Sequence, residues 1–274
     1  MPEDALRLLV LGAHPDDAEV HAGGLVSFYR TAGHTVKIVS VTNGAAGHQT
    51  HTASALATVR RAEADAVQRL VGVEYDIWGF PDGELQPTLD VRHHIIREIR
   101  IFRPDLVLTH RTCDYHPDHR AVGQAVQDAT YSVTVPLILP EVPALRRDPV
   151  VAYMIDLFKR PYPFQADVIY DVAPQLDSMI DLLDCHVSQV YEWLPYNMGI
   201  PGRVPRDAEE RKGALRGWFS DRLRQVADQF REELIRTYGE RWGKMVEFAE
   251  AYEISEYAAP LDETTRSRLF PFLP

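Results

Sequence analysis

Cysteine is scarce in this sequence. Cys113 and Cys185 are the 2 thiols in 274 residues, far apart and in no CxxC pair. Two such residues make neither a disulfide framework nor a cysteine zinc site, and reduced thiols of a cytosolic protein are expected. Positive charge is also short, with 29 Lys and Arg against 40 Asp and Glu and a formal net charge of -11. That balance argues against nucleic acid as the main partner, because phosphate binding calls for clustered Lys and Arg. No run approaches the ~20 apolar residues of a membrane span, so no membrane partner is expected. The opening residues MPEDALRLLVLGAHP carry acids where a secretory leader carries Lys or Arg. The cytoplasm is therefore the default expectation. Neither phosphate-cradling pattern, G-x-G-x-x-G or G-x-x-x-x-G-K-S/T, follows the first strand-like run, which leaves a dinucleotide reading weak.

What is present is alternation. LRLLVLGA (Leu6–Ala13), TVKIVSVT (Thr35–Thr42), VEYDIWGF (Val73–Phe80) and PDLVLTH (Pro104–His110) read as strands. Helical patterns fall at about Asp17 to Thr31, Ser54 to Val71, Val91 to Phe102 and Pro117 to Tyr131. Strands alternating with helices predict an α/β fold, a Rossmann-like, mostly parallel sheet with helices on both faces. The second half is less regular. Residues 136–165 are proline-rich and read as a connection, Ala166–Val172 as a strand and Pro174–Tyr191 as a helix. Trp193–Pro205 reads as an aromatic loop, and Ala208–Tyr238 as a long helix broken near Gly213 and Gly217. The expectation is a single domain over 1–274, with a core of about 1–135 and a C-terminal elaboration of about 136–274.

The first strand ends in His14-Pro15-Asp16-Asp17. Pro15 holds His14 extended and suits the first turn of a helix. A strand-to-helix turn can aim an imidazole and a carboxylate the same way, as a metal site needs. Adjacent acids also simply favour a helix N-terminus, and the tetrad alone does not choose. A second stretch, DYHPDHR (Asp114–Arg120), repeats the His-Pro-Asp theme after the fourth strand and adds His119. Ligands collect at the carboxyl ends of strands in such sheets, so both stretches are predicted at one edge. Together they offer His14, Asp17 and His119, two imidazoles and a carboxylate. Catalytic zinc has three protein ligands and an open position.

At this point the sequence resembles the PIG-L/LmbE-like zinc-dependent N-deacetylases. The resemblance rests on AHPDDAEVHAGG (Ala13–Gly24) and THRTCDYHPDHRAVG (Thr109–Gly123), supported by VTNGAAG, RRAE, PDGEL, CHVSQ and FAEAYEISE. It implies that His14, Asp17 and His119 bind Zn2+, that Asp16 is the general base, and that His116 stabilises an oxyanion or donates a proton. Asp118 then orients or tunes His116. Two histidines and an aspartate suit Zn2+, though the set could hold Fe2+ or another divalent ion. By the same resemblance Arg60 contacts substrate, against the alternative of a helix-surface charge. Asp82 is implied to touch a sugar hydroxyl, against the alternative of a Pro-Asp-Gly turn. Homo-oligomers, trimers or hexamers, are also implied.

His21 departs from the family pattern, where glycine is common. It reads either as a helix-face histidine packed near the sheet or as a contact to the site. His48 and His51 lie in a Gly-rich loop and read as solvated or lid residues. His110 is a partner for a ligand, and His186 lies near the site with an open role. The expected activity is metal-dependent removal of an N-acetyl group from an amino sugar such as an N-acetylglucosamine conjugate. The alternatives are an amidase acting on a non-sugar amide such as a thiol conjugate, or an inactive sugar-binding homologue. An intact Asp16 and His116 argue against the binder.

Overall fold

The computed structural model describes residues 5–274. The acidic opening at Glu3 and Asp4 lies outside the described residues. The chain runs β1 (Arg7–Gly12), α1 (Asp17–Thr31), β2 (Thr35–Thr42), α2 (Ala53–Val71), β3 (Glu74–Phe80), α3 (Leu89–Phe102), β4 (Leu106–Thr109) and α4 (Pro117–Thr130). It continues through β5 (Val150–Met154), β6 (Val168–Asp171), α5 (Leu176–Asp184), α6 (Leu194–Asn197), α7 (Ala208–Gln229), α8 (Arg231–Met245), β7 (Ala249–Ile254) and α9 (Glu263–Leu269). The predicted elements of the first half recur with their ends moved by one or two residues, within the usual fraying of element boundaries.

The strands form one seven-stranded sheet in the order β3-β2-β1-β4-β5-β7-β6. The neighbours from β3 to β5 are parallel, and β7 runs antiparallel to both β5 and β6. The order reverses between β1 and β4, which is the topological switch point where open α/β sheets bind ligands.

Side-chain alternation explains the layers. In β1, Leu8 and Val10 face a core shared with α1, α2, α5 and α7, while Leu9 and Leu11 face a second core shared with α3 and α4. A strand covered on both faces reads as a continuous apolar run, as LLVL does. Helix α1 buries Ala18, Ala22, Leu25 and Tyr29 at three- and four-residue spacing. Gly24 is required there, since a Cβ would stand 2.9 Å from both a Glu250 carboxylate oxygen and Val172. Gly123 lets α4 lie on the loop after β4, where a Cβ would meet the His110 carbonyl oxygen at van der Waals overlap.

The second half departs from expectation in three places. The proline-rich 136–165 stretch contains β5, which extends the parallel sheet beyond β4. The helix predicted over 174–191 stops at Asp184 and gives way to a wider turn over Ser188–Trp193. Helix α7 runs unbroken through Gly213 and Gly217, because Leu215, Phe219, Leu223 and Val226 form a buried stripe. That burial outweighs the ~1 kcal/mol helix penalty of each glycine. The chain instead turns at Phe230, and Gly239 in α8 has a left-handed φ of 80°.

Candidate metal centre and active site

His14 leaves β1 and Asp17 opens α1, one turn of chain apart. Between them Asp16 has φ 124°, a conformation disfavoured for a side chain with a Cβ. Strain of this kind costs on the order of 1–3 kcal/mol and tends to mark functional sites. It brings the Asp17 carboxylate back beneath His14, whose backbone N–H donates to Asp17 Oδ2 at 2.7 Å. His119 arrives from the first turn of α4, which is started by Pro117 and capped by His116.

The three expected ligands converge. His14 Nδ1 lies 3.3 Å from His119 Nε2 and 3.6 Å from Asp17 Oδ2, and His119 Nε2 lies 3.4 Å from Asp17 Oδ1. Ligand bonds of 2.0–2.1 Å in a tetrahedron put donor atoms about 3.3–3.4 Å apart. The spacing and the nitrogen–nitrogen–oxygen donor set therefore fit a divalent ion such as zinc.

The far sides of the ligands are held by carboxylates. His14 Nε2 is 3.1 Å from Asp82 Oδ1 and 3.3 Å from Asp118 Oδ2. His119 Nδ1 is 3.0 Å from Asp114 Oδ1. Such partners fix which nitrogen faces the metal and raise its basicity. Asp17 Oδ2 is 3.0 Å from His110 Nε2, and the His110 ring stacks on His119 at 3.8 Å. Negative charge thus accumulates around the two imidazoles. Burial disfavours charge on His14, but Asp118, Asp82 and Asp17 outweigh it and push its pKa up to about 10. His119 behaves alike: burial lowers its pKa, and Asp17 and Asp114 together bring it up to about 9. The pocket favours a cation at this point, whether a proton or a metal.

Three of the expected site residues have partners within the protein. Asp118, expected to orient His116, faces His14 instead, and its carboxylate accepts the backbone N–H groups of Gly83 (2.7 Å) and Leu85 (3.1 Å). Asp82, expected at a sugar hydroxyl, supports His14 with one oxygen and accepts the Ala46 N–H at 2.8 Å with the other. Arg60, expected at substrate or on the helix surface, is 0% exposed and donates to Asp16 Oδ1 at 2.9 Å. Burial raises the Asp16 pKa, Arg60 restrains the rise, Asp17 adds to it, and the outcome is about 6.

His116 stands at the mouth, with its ring centre 4.5 Å from that of His14. Its Nδ1 accepts the Asp118 backbone N–H at 3.2 Å. The neutral ring therefore carries its proton on Nε2 and presents a donor.

His186 pairs with buried Glu19 at 3.2 Å rather than joining the ligands. His48 reaches Glu192 at 2.8 Å, with the His51 ring tilted against it at 4.3 Å. The RRAE and CHVSQ stretches meet where Ser188 donates its N–H (2.6 Å) and hydroxyl (2.8 Å) to Glu63. The contact of Asp114 with His119 was not expected from the sequence. Its signal was an aspartate two residues before the His-Pro-Asp-His run, on the strand-end loop that carries His119.

Comparison with known proteins now adds the family. The model described as PIG-L, GlcNAc-PI de-N-acetylase, matches residues 9–130. The PIG-L model thus spans somewhat less than half of this chain. The matched segment contains all three converging ligands. A mycothiol S-conjugate amidase of Streptomyces coelicolor is 30% identical over 142 residues, 42% of this chain and 48% of the relative. The chain thus matches about half the length of that relative. A diacetylchitobiose deacetylase of Thermococcus kodakarensis is 26% identical over 204 residues, 70% of this chain and 75% of the relative. Two solved structures share the fold. The N,N'-diacetylchitobiose deacetylase of Pyrococcus horikoshii superposes with TM-score 0.70 at 21% identity, covering 93% of this chain and 85% of that one. The 4-carboxy-2-hydroxymuconate hydratase of Pseudomonas putida KT2440 gives TM-score 0.72 at 17% identity, covering 94% and 99%. Among the described residues, no helix is long and apolar enough to cross a membrane.

Proposed function

We propose that this protein is a metal-dependent hydrolase that removes the N-acetyl group of an amino sugar such as an N-acetylglucosamine conjugate. The observation that carries the reading is the convergence of His14 Nδ1, Asp17 and His119 Nε2 within 3.3–3.6 Å, with Asp16 and His116 beside them. When bound, a divalent ion supplies Lewis acidity to water and to a carbonyl. Asp16 takes a proton from the attacking water, its elevated pKa suits a base working near neutrality, and a proton from Asp16 or His116 goes to the amine nitrogen as the C–N bond breaks. Arg60 holds the Asp16 carboxylate in place. His116 Nε2–H hydrogen-bonds the oxygen on which charge develops at the amide carbon. Asp82, Asp114 and Asp118 keep the two ligand imidazoles aimed.

The 30% identical amidase favours a second reading, cleavage of a non-sugar amide such as a thiol conjugate. A screen separates the two. The metal-loaded protein is incubated with N,N'-diacetylchitobiose, N-acetylglucosamine conjugates and amide-linked thiol conjugates, and acetate and free amine are measured. Acetate release from an N-acetylated sugar is expected. Asp16→Asn should lower that rate by about 10²–10⁴ with metal content unchanged. Metal bound with no acetate from any sugar amide contradicts the deacetylase reading.

A further inference from the structure

Beside the metal centre lies a second cavity of about 190 Å³, which the proposed reaction does not use. That is far above the ~10–15 Å³ a single water needs on this measure, and leaves room for a small organic acid. Its apolar wall is Ile155, Leu157 and Phe158, which follow β5. Its polar wall is Arg222 from α7 and His21 from α1, and Asp114 and Tyr115 border it on the side of His119.

Arg222 is the unusual member. Its Nη2 donates to His21 Nδ1 at 3.1 Å. Among the described residues, no carboxylate lies within ion-pair distance of it. A guanidinium has five N–H donors, so most of its capacity is open to the cavity. The two carboxylates in the wall are already committed. Asp114 holds His119 at 3.0 Å, and Asp156 accepts Arg111 through both oxygens at 3.0 and 3.1 Å. His21 cannot neutralise Arg222, because accepting from the guanidinium commits its Nδ1 as a lone pair. It positions the cation instead. A half-buried cation without a counter-charge is costly, and a bound anion relieves that cost.

We propose that Arg222, positioned by His21, binds the carboxylate of a ligand whose short apolar stem lies against Ile155, Leu157 and Phe158. A singly charged carboxylate suits the cavity better than a phosphate, because the nearby Asp114 and Asp156 repel a dianion more strongly. The subsite is separate from the metal trio and stands whether or not the reaction is deacetylation.

The test is calorimetric titration of the metal-loaded protein with sodium butyrate at constant ionic strength, with butyramide and inorganic phosphate as comparison probes. Saturable butyrate binding is expected, with butyramide and phosphate at least about 10-fold weaker. Arg222→Gln should weaken butyrate by about 10- to 100-fold at unchanged metal content, and Arg222→Lys should retain part of the affinity. Butyrate binding that survives Arg222→Gln places the carboxylate on the metal and overturns the proposal. So does butyramide or phosphate binding as tightly as butyrate, or no butyrate binding at all. Leu157→Asp, at an exposed position of the same wall, should also weaken butyrate with metal content unchanged, and unchanged affinity would overturn the proposal even where Arg222→Gln impairs folding.

Discussion

His14 and His119 each use one nitrogen toward the ligand cluster and the other toward a carboxylate, Asp82 and Asp118 for the first and Asp114 for the second. If the trio holds an ion, these partners are expected to set its affinity without touching it. Asp114→Asn is expected to weaken metal binding by about 10- to 100-fold, measured by competition with a chelator, with the fold retained by circular dichroism. Unchanged affinity would remove Asp114 from the site. The identities of the three converging residues were legible in the sequence because two short motifs sit where strands become helices. The partners were not. Arg60 is 44 positions from Asp16, and Asp118 is 104 positions from His14. Nothing local to Asp118 distinguishes a partner at His116, two residues away, from one on another strand. Tertiary packing decided both.

Strand β7 illustrates what periodicity hides. Its sequence AEAYEI places Glu250 and Glu253 in a strand buried on both faces, so it lacks the apolar run that marks β1. Its pairing with β5 and β6 joins segments 102 and 84 residues apart, as Ala152 with Ile254 and Val168 with Tyr252 show. Glu250 is tolerated because four donors surround it: the N–H groups of Gly24 and Leu25 at 2.7 and 3.1 Å, and the hydroxyls of Tyr170 and Tyr252 at 2.5 and 2.9 Å. Burial still raises its pKa above the ordinary 4.5, more than the hydrogen bonds lower it. The native state therefore holds this proton more tightly than the unfolded chain. Its contribution to stability is fully present below pH 4.5 and is lost as pH rises through the native pKa. Glu250→Gln leaves some of these donors without an acceptor and should cost about 1–3 kcal/mol. The gap between wild type and variant, from denaturant unfolding at several pH values, should be widest at acid pH and narrow as pH rises. A gap that widens toward neutral pH would mean that the native pKa is depressed instead.

At the scale of the molecule, the site is a product of sheet order. The α/β class and the common edge of the two motifs follow from alternation and strand position, which a sequence displays. The reversal between β1 and β4, which sets the ends of those strands side by side, appears only when the strands pair. His14 and His119 belong to separate strand–helix units, so their nitrogens meet only in the assembled sheet. The most direct measurement is anomalous diffraction at the zinc edge from crystals of metal-loaded protein. One ion is expected at about 2.0–2.2 Å from His14 Nδ1, a carboxylate oxygen of Asp17 and His119 Nε2, with a coordination position left to solvent. An ion located instead between His48, His51 and Glu192, or one fully enclosed by protein atoms, would contradict the hydrolytic centre.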